Sequence, residues 1–244
     1  YLSDANLAEL NAILEQGLRR VPKGTPFYEH YLALFPGIDY IRLIRGRAFR
    51  GRARVKKRFL DFLAAHPDLT HIAEGVSAEN MVKVLTLKHK KALPPKVAAG
   101  LKEGRDWFSY QEYQLELCCA DIVEDHEASD GVSAVMPGSS KEWGFSLKVM
   151  NLPKGVWDVY ADVKIEMDKK NLFDGARWAL RYGIEPGVAK GIKLRANFSK
   201  GYRPVKIGTI DTATDAPDFV WLSPPGNSVV SKVYVDRIYF VKRR

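Results

Sequence analysis

The chain has 244 residues, of which 46% are hydrophobic and 27% charged, and carries a net charge of +9. This is the composition of an ordinary globular protein of one large or two small domains. It holds no apolar run near the roughly 20 residues of a transmembrane helix, and two adjacent cysteines, Cys118 and Cys119, cannot make a four-ligand zinc site. No signal peptide is visible, and the start at Tyr1 fits a trimmed chain or a piece of something longer.

The charge is unevenly spread: +8 of the +9 falls in residues 1–110. The first half also carries the helical pattern. Ser3 or Asp4 caps a first helix through Arg20, with Leu7, Leu10, Ile13, Leu14 and Leu18 as its apolar stripe. Val21-Pro22-Lys23-Gly24 stops it. A short second helix is expected from Phe27 to Phe35, ended by Pro36-Gly37. A long third helix is expected from Ile38 to Ala65, weakened at Gly46 and Gly51. Its basic run extends from Arg42 to Arg58, with no acid between Asp39 and Asp61. That run reads as a solvated or acid-paired face, as a contact for an anionic polysaccharide, or as a nucleic-acid contact. Arg45, Arg52 and Lys56 are the candidate polyanion-binding residues. No helix-turn-helix, zinc or RNA-recognition signature accompanies them. Ser77 caps a fourth helix over Ala78–Lys91, and Lys96 to Ser109 reads as a linker.

From Tyr110 the period changes to two. Strands are expected at Gln114–Val123, Trp143–Val149, Trp157–Glu166, Ala176–Tyr182, Ile192–Phe198, Val205–Ile210, Phe219–Leu222 and Lys232–Val241. Gly, Pro, Asn and Asp punctuate them. The expected fold is α+β: an α-helical segment, 1–106, then an antiparallel β-sandwich of jelly-roll type, 107–244.

Between the halves stands Asp125-His126-Glu127-Ala128-Ser129-Asp130-Gly131, followed by Met136-Pro137-Gly138 and Glu142-Trp143. This order resembles the opening of galactose-binding-like jelly rolls. Asn151-Leu152-Pro153-Lys154-Gly155-Val156-Trp157-Asp158-Val159-Tyr160 resembles a later part of their core. Val233 to Phe240 is similar to the last strand of many carbohydrate-binding modules. The resemblance covers Gln111 to Arg244. The helical part resembles the region before such a module in glycoside-hydrolase-like bacterial proteins. This implies a secreted, periplasmic or cell-surface protein whose catalytic domain lies upstream.

Carbohydrate modules stack aromatic rings on the apolar faces of sugars and fix the hydroxyls with a few polar groups. Trp157 shares a strand face with Val159, Ala161 and Val163, and Trp143 with Phe145 and Leu147, so both read as core. Trp178, Arg181, Tyr182 and Trp221 adjoin Gly- and Pro-rich loops and are the candidate substrate-binding residues. The resemblance also implies a structural calcium, with Asp125, Glu127, Asp130 and Asp236 as its candidate ligands; the alternative is an acidic, solvated turn. No G-x-S-x-G, H-E-x-x-H or phosphate loop appears, no carboxylate pair is marked for glycoside hydrolysis, and the five histidines read as surface residues. The sequence thus points to non-catalytic binding of a polysaccharide or oligosaccharide, or to support of a catalytic neighbour. Polyanion binding through the basic helix is the alternative.

Overall fold

The computed structural model describes residues 3–44, 49–73, 76–149, 152–168, 178–187, 189–193, 201–214 and 219–243. The chain divides into two compact units, Tyr1–Thr70 and His71–Arg244.

The first unit holds helices α1 (Asp4–Arg20), α2 (Pro26–Ile44) and α3 (Arg52–Ala65). Ser3 caps α1, its hydroxyl accepting from the Asn6 N–H at 3.1 Å. Leu7 and Leu14 are buried, whereas Leu10 and Ile13 stay exposed. Helix α2 does not stop at Phe35: Pro36 lies inside it. Phe35, Asp39 and Leu43, four residues apart, are all buried, and this stripe carries the helix past the proline despite the lost N–H. The expected long third helix is therefore two. Its first turns belong to α2, and α3 begins only after Gly51, whose φ of +82° breaks the helix. Residues 45–48, including Arg45 and Gly46, lie outside the described residues.

The second unit begins with strands β1 (His71–Ala73) and β2 (Val76–Ser77), then helix α4 (Ala78–Thr86). Eleven further strands follow: β3 (Trp107–Gln111), β4 (Glu116–Leu117), β5 (Asp121–Glu124), β6 (Val132–Pro137), β7 (Phe145–Lys148), β8 (Val156–Met167), β9 (Trp178–Glu185), β10 (Lys190–Lys193), β11 (Arg203–Asp211), β12 (Phe219–Ser223) and β13 (Val230–Lys242). They form two antiparallel sheets. One has the order β10-β9-β12-β7-β4; the other runs β11-β8-β13-β6-β5, with β3 also paired to β13. From β6 onward the chain passes to the other sheet at almost every connection, as in a jelly roll. Inward residues of both sheets fill the core between them, among them Phe145, Trp157, Val159, Leu180, Leu222, Val235 and Phe240.

Several elements differ from the expected ones. The run Gln114–Val123 is not one strand: β4 lies in the first sheet and β5 in the second. Strand β6 was not expected, because Val132, Ser133, Ala134 and Met136 are all buried and show no polar alternation. Part of the expected linker is β3, paired with β13 from Trp107↔Val241 to Gln111↔Arg237. Residues 194–198 of one expected strand lie outside the described residues.

Helix α4 belongs to the second unit, although the expected boundary lay at 106/107. Asn80 explains its place: its Nδ2 donates to the Ala120 carbonyl at 2.9 Å, and its Oδ1 accepts from the Ile122 N–H at 3.3 Å. Beyond α4 the chain runs along the turn before β6. Lys90 N–H donates to the Asp130 carbonyl at 2.7 Å and Leu93 N–H to Ser129 at 3.2 Å. The Leu93 carbonyl accepts in turn from Arg237.

Candidate functional site

The outer face of the five-stranded sheet can be read from its register. Gly191 pairs with Arg181, Arg181 with Ser223, Gly183 with Trp221, and Trp221 with Ser146. Residues paired across neighbouring strands share a face, so these six residues lie together, opposite the core. Two glycines make the face flat. A Cβ at Gly191 would meet the Trp178 ring at 2.6 Å, and one at Gly183 would meet the Trp221 ring at 2.7 Å. Each indole therefore lies down over the neighbouring strand.

Trp178 keeps 39% of its surface exposed, whereas Trp221 keeps 8%. The Trp221 ring is covered at its edge by Trp143, with centroids 5.3 Å apart and planes at 65°. Trp143 also tilts against Phe219 at 5.9 Å. Trp221 Nε1 donates to Glu185 Oε1 at 3.2 Å. Trp143 itself is 49% exposed, which corrects its expected place in the core. Strand β7 starts two residues later, at Phe145, and a Cβ at the intervening Gly144 would meet Met136 Sδ at 2.2 Å. The alternation read from Trp143 to Val149 is thus out of register at its first member. Trp157, expected in the core, is fully buried.

Arg181 braces this face. Its Nη2 donates to Ser223 Oγ and to the Pro224 carbonyl, both at 3.2 Å, and its Nε reaches the same carbonyl at 3.3 Å. Tyr182 points the other way and packs against the core; burial raises its hydroxyl above the usual tyrosine range. Of the four candidate sugar-binding residues, Trp178, Arg181 and Trp221 share the face and Tyr182 does not. The sequence reading missed Trp143, Phe219 and Glu185. The Gly144 beside Trp143 was the only local sign that the strand had not yet begun.

The four acids expected to hold calcium do not form one oxygen cage. The Asp125 carboxylate accepts from the Lys164 ammonium, from Tyr202 Oη at 2.9 Å and from the Glu127 N–H at 3.0 Å. Burial pushes Asp125 up, but Lys164, the Glu127 amide and Tyr202 outweigh it and hold the carboxyl below the ordinary range. Lys164 also reaches Glu127 Oε2 at 3.1 Å. A lysine thus stands between Asp125 and Glu127, where a calcium shared by them would sit. Asp236 accepts from Ser129 Oγ at 2.9 Å, and burial pushes its carboxyl up to about 7. Asp130 turns instead toward His89 Nδ1, 3.0 Å away, beside the buried Glu112. His89 and Glu112 had no signal in the sequence, since they come from distant segments.

In the helical unit the basic run is partly neutralised. Arg58 makes a two-pronged contact with the buried Asp39, at 2.7 and 2.6 Å, and its guanidinium lies 3.7 Å from the centre of the Phe35 ring. Arg54 pairs with Glu15 at 2.8 Å and Lys57 with Asp61 at 2.6 Å. Arg52 donates to the Leu43 carbonyl at 3.3 Å, and Lys56 is half-buried on α3.

No protein-family model matches the chain, and no curated protein matches it. Solved structures do. A family 35 carbohydrate-binding module from Clostridium thermocellum is 17% identical, over 55% of this chain and 98% of that one, with a TM-score of 0.38. A Podospora anserina mannanase carrying such a module is 8% identical, over 57% of this chain and 28% of that one, at 0.40. The Bacillus thuringiensis insecticidal crystal protein Cry7Ca1 is 9% identical, over 57% and 23%, at 0.36. The mannanase and the crystal protein are thus matched over about a quarter of their length. The sandwich architecture itself rests on the strand pairing described above.

Proposed function

We propose that the sandwich binds a carbohydrate without acting on it, using the outer face of the five-stranded sheet. The observation that carries this reading is the pair of half-exposed indoles, Trp143 and Trp178, on a face kept flat by Gly183 and Gly191. Flat aromatic surface suits the C–H faces of pyranose rings, and the polar groups nearby suit their hydroxyls. Glu185, Lys148, Ser146 and Glu116 supply these; Ser146 Oγ donates to Glu116 at 2.7 Å. In this reading the ligand is a neutral oligosaccharide or polysaccharide. The module serves a polysaccharide-processing protein outside the cell or at its surface, beside a catalytic domain that lies upstream.

The test is a glycan array probed with the full chain at low and high salt, repeated with Trp143→Ala and Trp178→Ala. Stacking on a neutral glycan survives salt, and losing one indole weakens it by roughly tenfold, about 1.4 kcal/mol. Binding confined to sulfated or uronic glycans and lost in salt moves the function to the basic run of the helical unit. Binding that ignores both tryptophan substitutions removes this face as the site.

A further inference from the structure

The geometry points to a divalent cation of the zinc class bound by His89, Glu112 and Asp130. Among the described residues these three form a group in which one ligand atom from each lies within 4.8 Å of the others. His89 Nδ1 stands 3.0 Å from Asp130 Oδ2 and 3.5 Å from Glu112 Oε1. Ligands around a tetrahedral zinc lie roughly 3.3 Å apart, given bonds near 2.0–2.1 Å. The two separations from His89 are therefore already close to the spacing an ion needs, and the third lies within 4.8 Å.

The other nitrogen fixes the chemistry of the ring. His89 Nε2 lies 2.9 Å from the Val84 carbonyl, which accepts only, so Nε2 carries a hydrogen. The neutral imidazole then aims its Nδ1 lone pair at two carboxylates. That arrangement needs a positive charge between them, either a proton or a metal. Glu112 separates the two. It is fully buried, and among the described residues neither carboxylate oxygen has a hydrogen-bond partner. A proton on His89 Nδ1 hydrogen-bonds Asp130 at 3.0 Å and reaches Glu112 only as an ion pair at 3.5 Å, whereas a shared cation would bond all three. A buried acid without partners is costly, so its retention asks for a ligand.

The nitrogen also selects the metal. Calcium and magnesium take oxygen ligands, while imidazole with carboxylates suits zinc and its neighbours. The three ligands come from separate segments: the strap after α4, the 3-10 turn Glu112–Gln114 and the turn before β6. The bonds from Lys90 to Asp130 and from Leu93 to Ser129 hold strap and turn together without the ion. Tyr113 supports the His89 ring edge-on, with centroids 5.6 Å apart. The site is thus preformed, and a bound ion would clip the strap to the sandwich.

The experiment uses the full chain stripped with chelator and titrated separately with zinc, cobalt(II) and calcium. Calorimetry gives stoichiometry, visible absorption gives the cobalt ligand field, and thermal unfolding gives the shift in midpoint. We expect one equivalent of zinc, a higher midpoint, a cobalt spectrum with a nitrogen ligand, and weaker calcium. His89→Ala should weaken zinc roughly a hundredfold or more, beyond the 10- to 100-fold typical of losing a residue that only hydrogen-bonds to a metal ligand. Glu112→Gln should abolish zinc binding yet raise the midpoint of the metal-free protein, because it removes a buried unpaired acid. If one of these variants fails to fold, the other decides. Three outcomes overturn the proposal: no stoichiometric zinc on the wild-type chain, equal zinc affinity in a folded His89→Ala, or calcium bound more tightly than zinc.

Discussion

The indole of Trp221 lies against the backbone of Gly183, so closely that a Cβ there would sit 2.7 Å from its ring. Trp221 also holds Trp143 at its edge and Glu185 at its Nε1. One hydrogen atom on Gly183 therefore sets the level of the whole aromatic face.

Gly183→Ala should lift Trp221 and disturb its partners. The expected cost is about 1–3 kcal/mol of stability, as for other overpacked sites. The near-ultraviolet circular dichroism of the tryptophans should change, and glycan affinity should fall with it. An unchanged tryptophan spectrum in the alanine variant would refute this placement of the ring.

The pair Asp39–Arg58 is the main polar contact inside the helical unit. Asp39 is fully buried and Arg58 mostly so. Removing one partner of such a pair typically costs about 3–5 kcal/mol, and Asp39→Asn should lie near the lower end because Arg58 keeps 26% of its side-chain surface. Asp61→Asn breaks an exposed pair with Lys57 and should cost less than about 1 kcal/mol. Urea unfolding followed by helical circular dichroism compares them.

The acid sensitivity of the sandwich should depend on Asp125. Its carboxyl is held below the usual 3.8 by Lys164, the Glu127 amide and Tyr202, against its burial. A depressed carboxyl stabilises the fold at pH values above its unfolded pKa, and this contribution is lost as the pH falls through the folded one. Asp125→Asn should therefore be less stable than the wild type at neutral pH, and the gap should close below pH 3.8. Unfolding midpoints measured across that range would show it; a constant gap would contradict it.

Because α4 and the strap bond to the sandwich, fragment boundaries matter. A fragment of residues 71–244 should unfold cooperatively. A fragment of 107–244 loses Asn80 and with it the partner of the Ala120 carbonyl, a cost of about 1–3 kcal/mol for a group left unsatisfied, while the Ile122 N–H loses one of two acceptors and keeps Asp121 Oδ1 at 2.8 Å. It should melt lower and exchange the Ile122 amide faster. Equal hydrogen exchange at Ile122 in the two fragments would show that α4 contributes nothing.

The sequence showed most clearly the strands with one face in the core. Strand β8 alternates buried and half-buried residues over most of its length, and β11, β12 and β13 were found close to their observed places. Strand β6 left no such mark because it is buried on both faces. Pro36 was misread because local chemistry stops a helix there, while packing four and eight residues apart carries it on. On the aromatic face Trp178 and Trp221 were found through the loops beside them. Trp143 was not, since its exposure depends on where β7 begins. The cluster around Glu112 joins residues up to 41 positions apart, and no local pattern records that.

Strand β13 pairs with β8 along one edge, and with β6 and then β3 along the other. During synthesis the sheet therefore stays open until residue 242 has left the ribosome. Until then the edges of β6 and β8 that face β13 have no neighbour, and a chain of such non-local pairings closes in roughly milliseconds to seconds. The growing polypeptide passes through a stage in which a holding chaperone has something to hold, and a pause in translation shortly before β13 would lengthen it.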